Sequence, residues 1–234
     1  MPKRPGFSRS TTRAAKRRRI NVKRYKRRRR GRNAVPKVLR SLVEKKVYAS
    51  SGSDGDVGTN GHFMYLNAGV AQGDNLDERD GRKVTFTKMQ FRGTLSTTGS
   101  ASTDPQDRFV RFLVFIDKTP VQEAATVTEL IGTSNPHMSF RTWNESFRYK
   151  MLRDVTYRLP MKRDLIPSTD IESNVCGSKR ISFDIPLKMH TEWLSTTGGT
   201  DQISKNSLVV MAISNLATSN VQLDWISRMQ YVDL

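Results

Sequence analysis

Residues 181–187 read "ISFDIPL", with Ile181, Phe183, Ile185 and Leu187 at every second position. A period of two puts all four side chains on one face of an extended strand, whereas on a helix they would scatter around the axis. The pattern returns in "VQLDWISRMQY" (221–231), where Val221, Leu223, Trp225, Met229 and Tyr231 share a phase with small Ser227 between. In "KVTFTKMQFRGTL" (83–95) the apolar phase runs through Val84 and Phe86, then resumes at Met89 and Phe91. That slip of one residue, at Thr87–Lys88, predicts a β-bulge bending a long strand.

Outward from these stretches the pattern is strand after strand. The segments read as strands lie near Val43–Ser50, His62–Asn67, Arg82–Thr97, Arg108–Asp117, Tyr149–Leu159, Ser178–Leu187, Ser207–Asn215 and Val221–Val232. Turn-rich stretches such as "SSGSDGDVGTNG", "GSASTDPQD", "STTGGTDQ" and "NLATSN" separate them. Helical patterning is confined to "PKVLRSLVEKK" (36–46), which reads equally as a short helix or the lead-in to a strand, and to "TVTELI" after the fourth strand. No repeat and no βαβ rhythm is present, which argues against a parallel sheet. Residues 47–234 are long enough for one sizeable core. The expectation is an all-β fold, an eight-stranded antiparallel jelly roll of two four-stranded sheets.

Charge divides the chain differently. Residues 1–46 carry 20 of the 40 Lys and Arg and a single acid, Glu44, a local net charge of +19. The remaining residues are close to neutral, so the basic pI describes one end only. "KRRRINVKRYKRRRRGR" (16–32) alone holds twelve basic side chains in seventeen positions. Residues 1–35 have too few apolar side chains to build a core and carry unscreened like charge, which predicts a disordered basic N-terminal arm, with 36–46 as a short helix or linker before the body.

Several chemistries find no support. His62, His137 and His190 are scattered, and with one cysteine, Cys176, a zinc site has little to build on. Cys176 is read as a packed bystander and suits a reducing compartment. There is no phosphate-cradling glycine loop. "DNLDERDG" gathers Asp74, Asp77, Glu78 and Asp80 without the spacing of an EF-hand loop; it is read as a solvated acidic turn, with contact to a basic neighbour or a loosely held calcium at a subunit contact as the alternatives. No cofactor and no enzymatic activity is expected. The sequence shows no apolar h-region of a secretory signal, so the sequon at Asn144 is expected to go unused. The longest apolar run, "LVVMAI", is far too short to span a bilayer.

Sixteen bases without an acid in the first 32 residues exceed what solubility requires. Such density repels itself until counter-charge arrives, and phosphate supplies it with release of counterions. Arginine outnumbers lysine, which favours bidentate phosphate contacts. The residues expected to bind nucleic acid are Arg4, Arg9, Arg13, Lys16, Arg17, Arg18, Arg19, Lys23, Arg24, Lys26, Arg27, Arg28, Arg29, Arg30 and Arg32. Ile20, Val22 and Tyr25 make no apolar stripe, so membrane insertion is not expected. "KRRR" (16–19) and "KRRRR" (26–30) also fit a nuclear localisation signal, read by import receptors.

At residues 72–95, "QGDNLDERDGRKVTFTKMQFRGTL", the chain resembles the capsid proteins of small icosahedral viruses, most closely those of the satellite tobacco necrosis virus type. A Gln-Gly-Asp turn, an Arg-x-Gly step and a long strand with Arg-Gly-Thr occur in the same order. "VRFLVFIDK" and "RYKMLRDVTYRLP" continue the likeness, and "NSLVVMAISN…WISRMQYVD" is similar to the last two strands of capsids from circular single-stranded DNA viruses, including geminiviruses and circoviruses. The resemblance implies a self-assembling icosahedral shell of about sixty copies, a single-stranded genome packaged by the arm, and residence in the virion and the host nucleus. It implies structural roles for Gln72, Gly73, Asp74, Arg79, Gly81, Arg92 and Gly93. The arm is longer and richer in arginine than in the satellite type, which tilts the expectation toward circular single-stranded DNA. An RNA satellite coat protein and a nonviral basic packaging protein are the alternatives.

Overall fold

The alternating stretches become strands in the computed structural model, which describes residues 45–54, 57–97, 108–120, 124–132, 135, 137–142, 146–159, 178–215 and 221–233. The basic arm, nearly all of "PKVLRSLVEKK", the sequon at Asn144 and Cys176 lie outside the described residues. The strands are β1 (Lys45–Asp54), β2 (His62–Tyr65), β3 (Lys83–Thr97), β4 (Arg108–Asp117), β5 (Tyr149–Leu159), β6 (Ser178–Trp193), β7 (Ile203–Lys205), β8 (Ser207–Ser214) and β9 (Val221–Asp233). The "TVTELI" segment forms one helical turn, α1 (Val127–Leu130), closed by a capping box between Thr126 and Glu129.

The bounds of β4 and β5 coincide with the sequence reading, whereas β6 continues six residues past Leu187. The reason is that the alternation persists: Met189, Thr191 and Trp193 are buried while Lys188 and His190 point outward. Strand β7 was not anticipated. It pairs with the end of β6 through Glu192↔Lys205 and Trp193↔Ile203, and three residues are too few to display a period.

The strands build two antiparallel sheets in the orders β1-β9-β3-β6-β7 and β2-β8-β4-β5. Both sheets draw strands from early and late in the chain, the connectivity of a jelly roll. The five-to-four division replaces the expected four and four, because β7 extends one edge. Thr87 is the extra residue of β3 against β9, and the register shifts there against β6 as well. This is the bulge that the phase slip predicted. Pro186 faces Lys88 at the break, a position that tolerates a residue lacking an N–H.

Between the sheets lies the principal core. The ring of Phe91 stacks on Phe183 at 5.6 Å and on Trp225 at 5.8 Å between centroids, and Phe112 meets Phe183 edge-on at 5.7 Å from the opposite sheet. Gly93 follows on β3 because a Cβ there would come within 2.9 Å of the Asp224 carbonyl oxygen. A second apolar cluster occupies the other face of the four-stranded sheet. Leu113, Phe115, Val209, Met211 and Ile213 are covered there by Leu130, Ile131 and Tyr149 from the β4–β5 connection and the start of β5. Strand β8 is therefore buried at every position, and its unbroken run "SLVVMAIS" reflects burial on both faces.

Truncating Phe91 to Ala removes the ring shared by both sheets and should cost about 3–5 kcal/mol of unfolding free energy. Truncating exposed Leu76 to Ala should cost about 0.5 kcal/mol or less. Urea denaturation of the two variants compares them, and equal losses would contradict this description of the core.

Candidate nucleic-acid interface

The arm residues expected to meet nucleic acid, Arg4 through Arg32 as named above, lie outside the described residues. What can be built from the residues upward is the surface that the body contributes. Strand alternation that buries one phase of β3, β6 and β9 necessarily turns the other phase outward. On β3 that phase holds Lys83, Lys88 and Arg92; on β6 it holds Arg180, Asp184, Lys188 and Glu192; on β9 it holds Asp224 and Arg228.

Six bases thus face three acids on these three strands, with Lys83 3.0 Å from Glu192. Arg92 donates to Asp184 at 2.7 Å, with Lys88 at 3.6 Å from the same carboxylate. The hydrogen bond from Arg92 is the main reason that the Asp184 carboxyl is held below its usual range. Asp224 accepts from Ser53 at 2.5 Å. Arg180, Lys188 and Arg228 stand exposed on the same face. The sequence reading passed over these three because it followed the apolar phase; the signal was the opposite phase of the same strands.

Where β1 begins, Lys46 is buried, donates to Asp80 at 2.5 Å and lies 3.3 Å from Asp233. It ties the first strand to the 72–81 turn and to the last strand at once. The hydrogen bond to Asp80 is the leading cause of a raised ammonium pKa, against the opposing effect of burial. In the acidic turn, then, Asp80 has the basic neighbour that was one of the readings, and Glu78 accepts from the backbone N–H and side-chain amide of Asn75. Among the described residues there is no group of three or more His, Cys, Asp or Glu placed to hold a metal ion.

The Gln-Gly-Asp and Arg-x-Gly positions close this turn on itself. The Gly73 N–H donates to the Arg79 carbonyl at 3.1 Å, and the Gln72 side chain donates to the Asp80 carbonyl at 2.9 Å. Arg79 is wholly buried, donating to the carbonyls of Val70, Gly81 and Ser195 with its guanidinium 4.7 Å from the centre of the Trp193 ring. A buried guanidinium needs its hydrogens satisfied, and three carbonyls from separate segments do so.

Carboxylates elsewhere are likewise committed to the fold. Arg148 forks onto Asp117 at 3.1 and 3.0 Å, and Arg111 onto Asp154 at 2.8 Å twice. Glu129 accepts from Tyr149 at 2.5 Å. The three histidines are apart: His190 bonds Thr85, His137 stacks on Phe109, and His62 sits on β2. Of these acids, Asp184, Asp117 and Asp154 are paired with bases, while Asp224 accepts from the Ser53 hydroxyl.

Comparison with known proteins adds three findings. The model of the Geminivirus coat protein/nuclear export factor BR1 family matches residues 3–233. The capsid protein of Satellite tobacco necrosis virus 1 is 28% identical over 126 residues, covering 53% of this chain and 60% of the relative. The coat protein of Maize white line mosaic satellite virus is 28% identical over 101 residues, covering 42% of this chain and 44% of the relative. The chain spans about half the length of the curated relatives it matches. The solved structure of Desmodium yellow mottle tymovirus aligns over 81% of this chain and 87% of its own at 9% identity, with a TM-score of 0.31.

The buried phenols set an alkaline limit on the body. Burial pushes Tyr231 and Tyr149 well above the ordinary phenol value, with nearby acids adding to the effect at Tyr231 and the hydrogen bond to Glu129 at Tyr149. A pKa raised on folding contributes stability that is present below the unfolded value, about 10 for tyrosine, and is lost as pH rises above it. Unfolding free energy should therefore fall above about pH 10. The Tyr231 hydroxyl is buried without a hydrogen-bond partner among the described residues, so Tyr231→Phe should be no less stable at pH 7 and should lose less between pH 9 and 11. Denaturant midpoints across that range check it; an unchanged alkaline slope would remove Tyr231 from the account.

Proposed function

Since the chain belongs to the Geminivirus coat protein/nuclear export factor BR1 family, we propose that it is a coat protein whose β-sandwich bodies assemble with copies of themselves while the basic arm gathers a single-stranded genome. Coat proteins do structural work, and no enzymatic step is assigned. The carrying observation is the division of charge: half of all Lys and Arg lie in the first 46 residues beside one acid, while the rest of the chain is nearly neutral. A chain organised so binds polyanion at one end and leaves its folded surface available for neutral, close-packed contact. With about sixty copies, arms of net +16 bring on the order of a thousand positive charges, which offset roughly a kilobase of single strand. Arg180, Lys188 and Arg228 extend the same chemistry onto the body.

The genome favoured is circular single-stranded DNA, on the family match and on the length and arginine content of the arm. The satellite-virus relatives supply a specific reason for the second reading, an RNA genome. Import into the nucleus by the clusters at 16–19 and 26–30 belongs with the first reading and is part of the proposal. Particles purified from cells expressing the full chain together with its genome should show a nucleic-acid absorbance excess at 260 nm. Their contents should yield to DNase and resist RNase; the reverse selects the RNA reading, and the absence of any particle removes self-assembly.

Binding by the arm should be tolerant of sequence and weakened steeply by salt, because it offers charge and almost no side chains that read bases. Replacing Arg27, Arg28, Arg29 and Arg30 with Gln in the full chain should flatten the slope of log affinity against log salt by about 2–3 units on any single strand. The same four changes should disperse a fluorescent fusion that otherwise concentrates in nuclei. Affinity that ignores salt, or a strong preference for one oligonucleotide, would mean that the arm reads sequence instead.

A further inference from the structure

Among the exposed apolar side chains of the described residues, two sites stand beside charges of opposite sign. One is the tip of the 72–81 turn, where Leu76 is 75% exposed between Asp74 and Asp77. The turn is held rigidly behind that tip: the Leu76 carbonyl accepts from Val47 N–H on β1, Asp80 from Lys46, and Arg79 binds three carbonyls beneath. The other patch lies on the β4–β5 connection over the four-stranded sheet. There Met138, Phe140 and Phe147 are 76%, 93% and 71% exposed within ten residues of one another.

Scattered apolar side chains are ordinary on a protein surface, but Met138 and Phe140 line one concavity together and form a patch. Its backbone is also anchored. Arg111 on β4 donates to the Ser139 carbonyl at 2.6 Å, the Gly132 N–H donates to the Phe140 carbonyl at 3.4 Å, and Lys118 donates to the Phe147 carbonyl at 2.6 Å. Phe140 stands between two concavities, one lined by Leu130, Tyr149 and Met151, the other by Phe109, His137 and Thr156. Exposed Arg141 and Lys118 give this patch a positive rim. Its neighbouring acids, Asp117, Glu129 and Asp154, are engaged by Arg148 and Arg111.

The patches are therefore opposite in charge, both apolar at the centre, and carried by different sheets. We infer that the Leu76 turn of one copy docks onto the Phe140 patch of a second copy, with Leu76 against Phe140 and Met138, and with Asp74 and Asp77 facing Arg141 and Lys118. The inference rests on the self-assembly reading above. Two different, complementary patches make a heterologous contact, which closes into a ring or shell when its rotation is closed. Opposite charges at the rim fix the orientation and speed the encounter, and the apolar centre holds it. Preformed turns on both sides keep the ordering cost of association low.

The test is a charge swap in the full chain, with assembly followed by light scattering and sedimentation velocity. Far-UV circular dichroism and thermal midpoints matching wild type should show that these exposed positions leave the fold intact. Asp74→Lys with Asp77→Lys should raise the concentration for half-assembly about tenfold or more, and so should Lys118→Glu with Arg141→Glu. Combining all four changes should restore assembly to near the wild-type concentration. Phe140→Ser, which alters no charge, should weaken assembly to a similar degree, and no charge swap should rescue it. Wild-type-like assembly by the charge variants and Phe140→Ser overturns the contact while leaving self-assembly intact. Loss in both charge variants without recovery in the combination also overturns it, since the patches then do not meet each other. A wild-type chain that never assembles, with or without a single-stranded oligonucleotide, overturns the self-assembly reading and takes this contact with it.

Discussion

Phe91, Phe183 and Phe112 meet between two sheets that share no hydrogen-bonded strand, and their contact joins the halves of the sandwich. Each strand of β3, β6 and β9 offers one face to this layer, so the period-two pattern is a geometric requirement of closing it. The outward phase is then free to be polar, and on β3, β6 and β9 it is mostly polar, with bases outnumbering acids and Ile226 exposed among them. Burial of the aromatic layer thus decides both what holds the fold together and which charges it displays.

A second consequence follows for the four-stranded sheet. Its outer face is apolar on β4 and β8, and water cannot be left against so much hydrocarbon without cost. The β4–β5 connection meets this need with Leu130, Ile131 and the capped turn of α1. Buried charge is tolerated beneath the same connection because it is paired: Asp117 accepts both arms of the Arg148 fork, and Glu129 takes the Tyr149 hydroxyl. With its backbone fixed in this way, the connection can present Phe140 and Met138 outward on a firm base.

The charge economy of the chain separates two tasks that would interfere if mixed. Under the proposed assembly, like charge spread over the contact surface would repel neighbouring copies, whereas charge concentrated in the first 46 residues would be available to phosphate. Lys46, near the start of the described residues, is buried and neutralised by Asp80 and Asp233. The charges of the stretch before it have no such partners in its own sequence, where Glu44 is the single acid.

Much of this was legible beforehand. Ile181 to Leu187 on one face, the bulge at Thr87, the bounds of β4 and β5 and the short helix at "TVTELI" all follow from local periodicity and turn chemistry, which act over a few residues. Strand β7 escaped the pattern because its partners, Glu192 for Lys205 and Trp193 for Ile203, lie ten or more residues away, whereas the end of β6 carries a local alternation, Met189, Thr191 and Trp193, beyond the bound read for it. The resemblance implied a structural role for Arg79; only the carbonyls of Val70 and Ser195 and the face of Trp193 show that role to be a buried strut. The opposition between the Leu76 turn and the Phe140 patch was equally invisible, since exposure is a property of the packed whole. By itself the sequence determined the strand class, the apolar face of each strand and the separation of charge, because those depend on neighbours along the chain. The tertiary structure alone decided sheet order, which charges are buried and paired, and which hydrophobic side chains are left facing out, because those depend on contacts between segments the chain brings together only by folding.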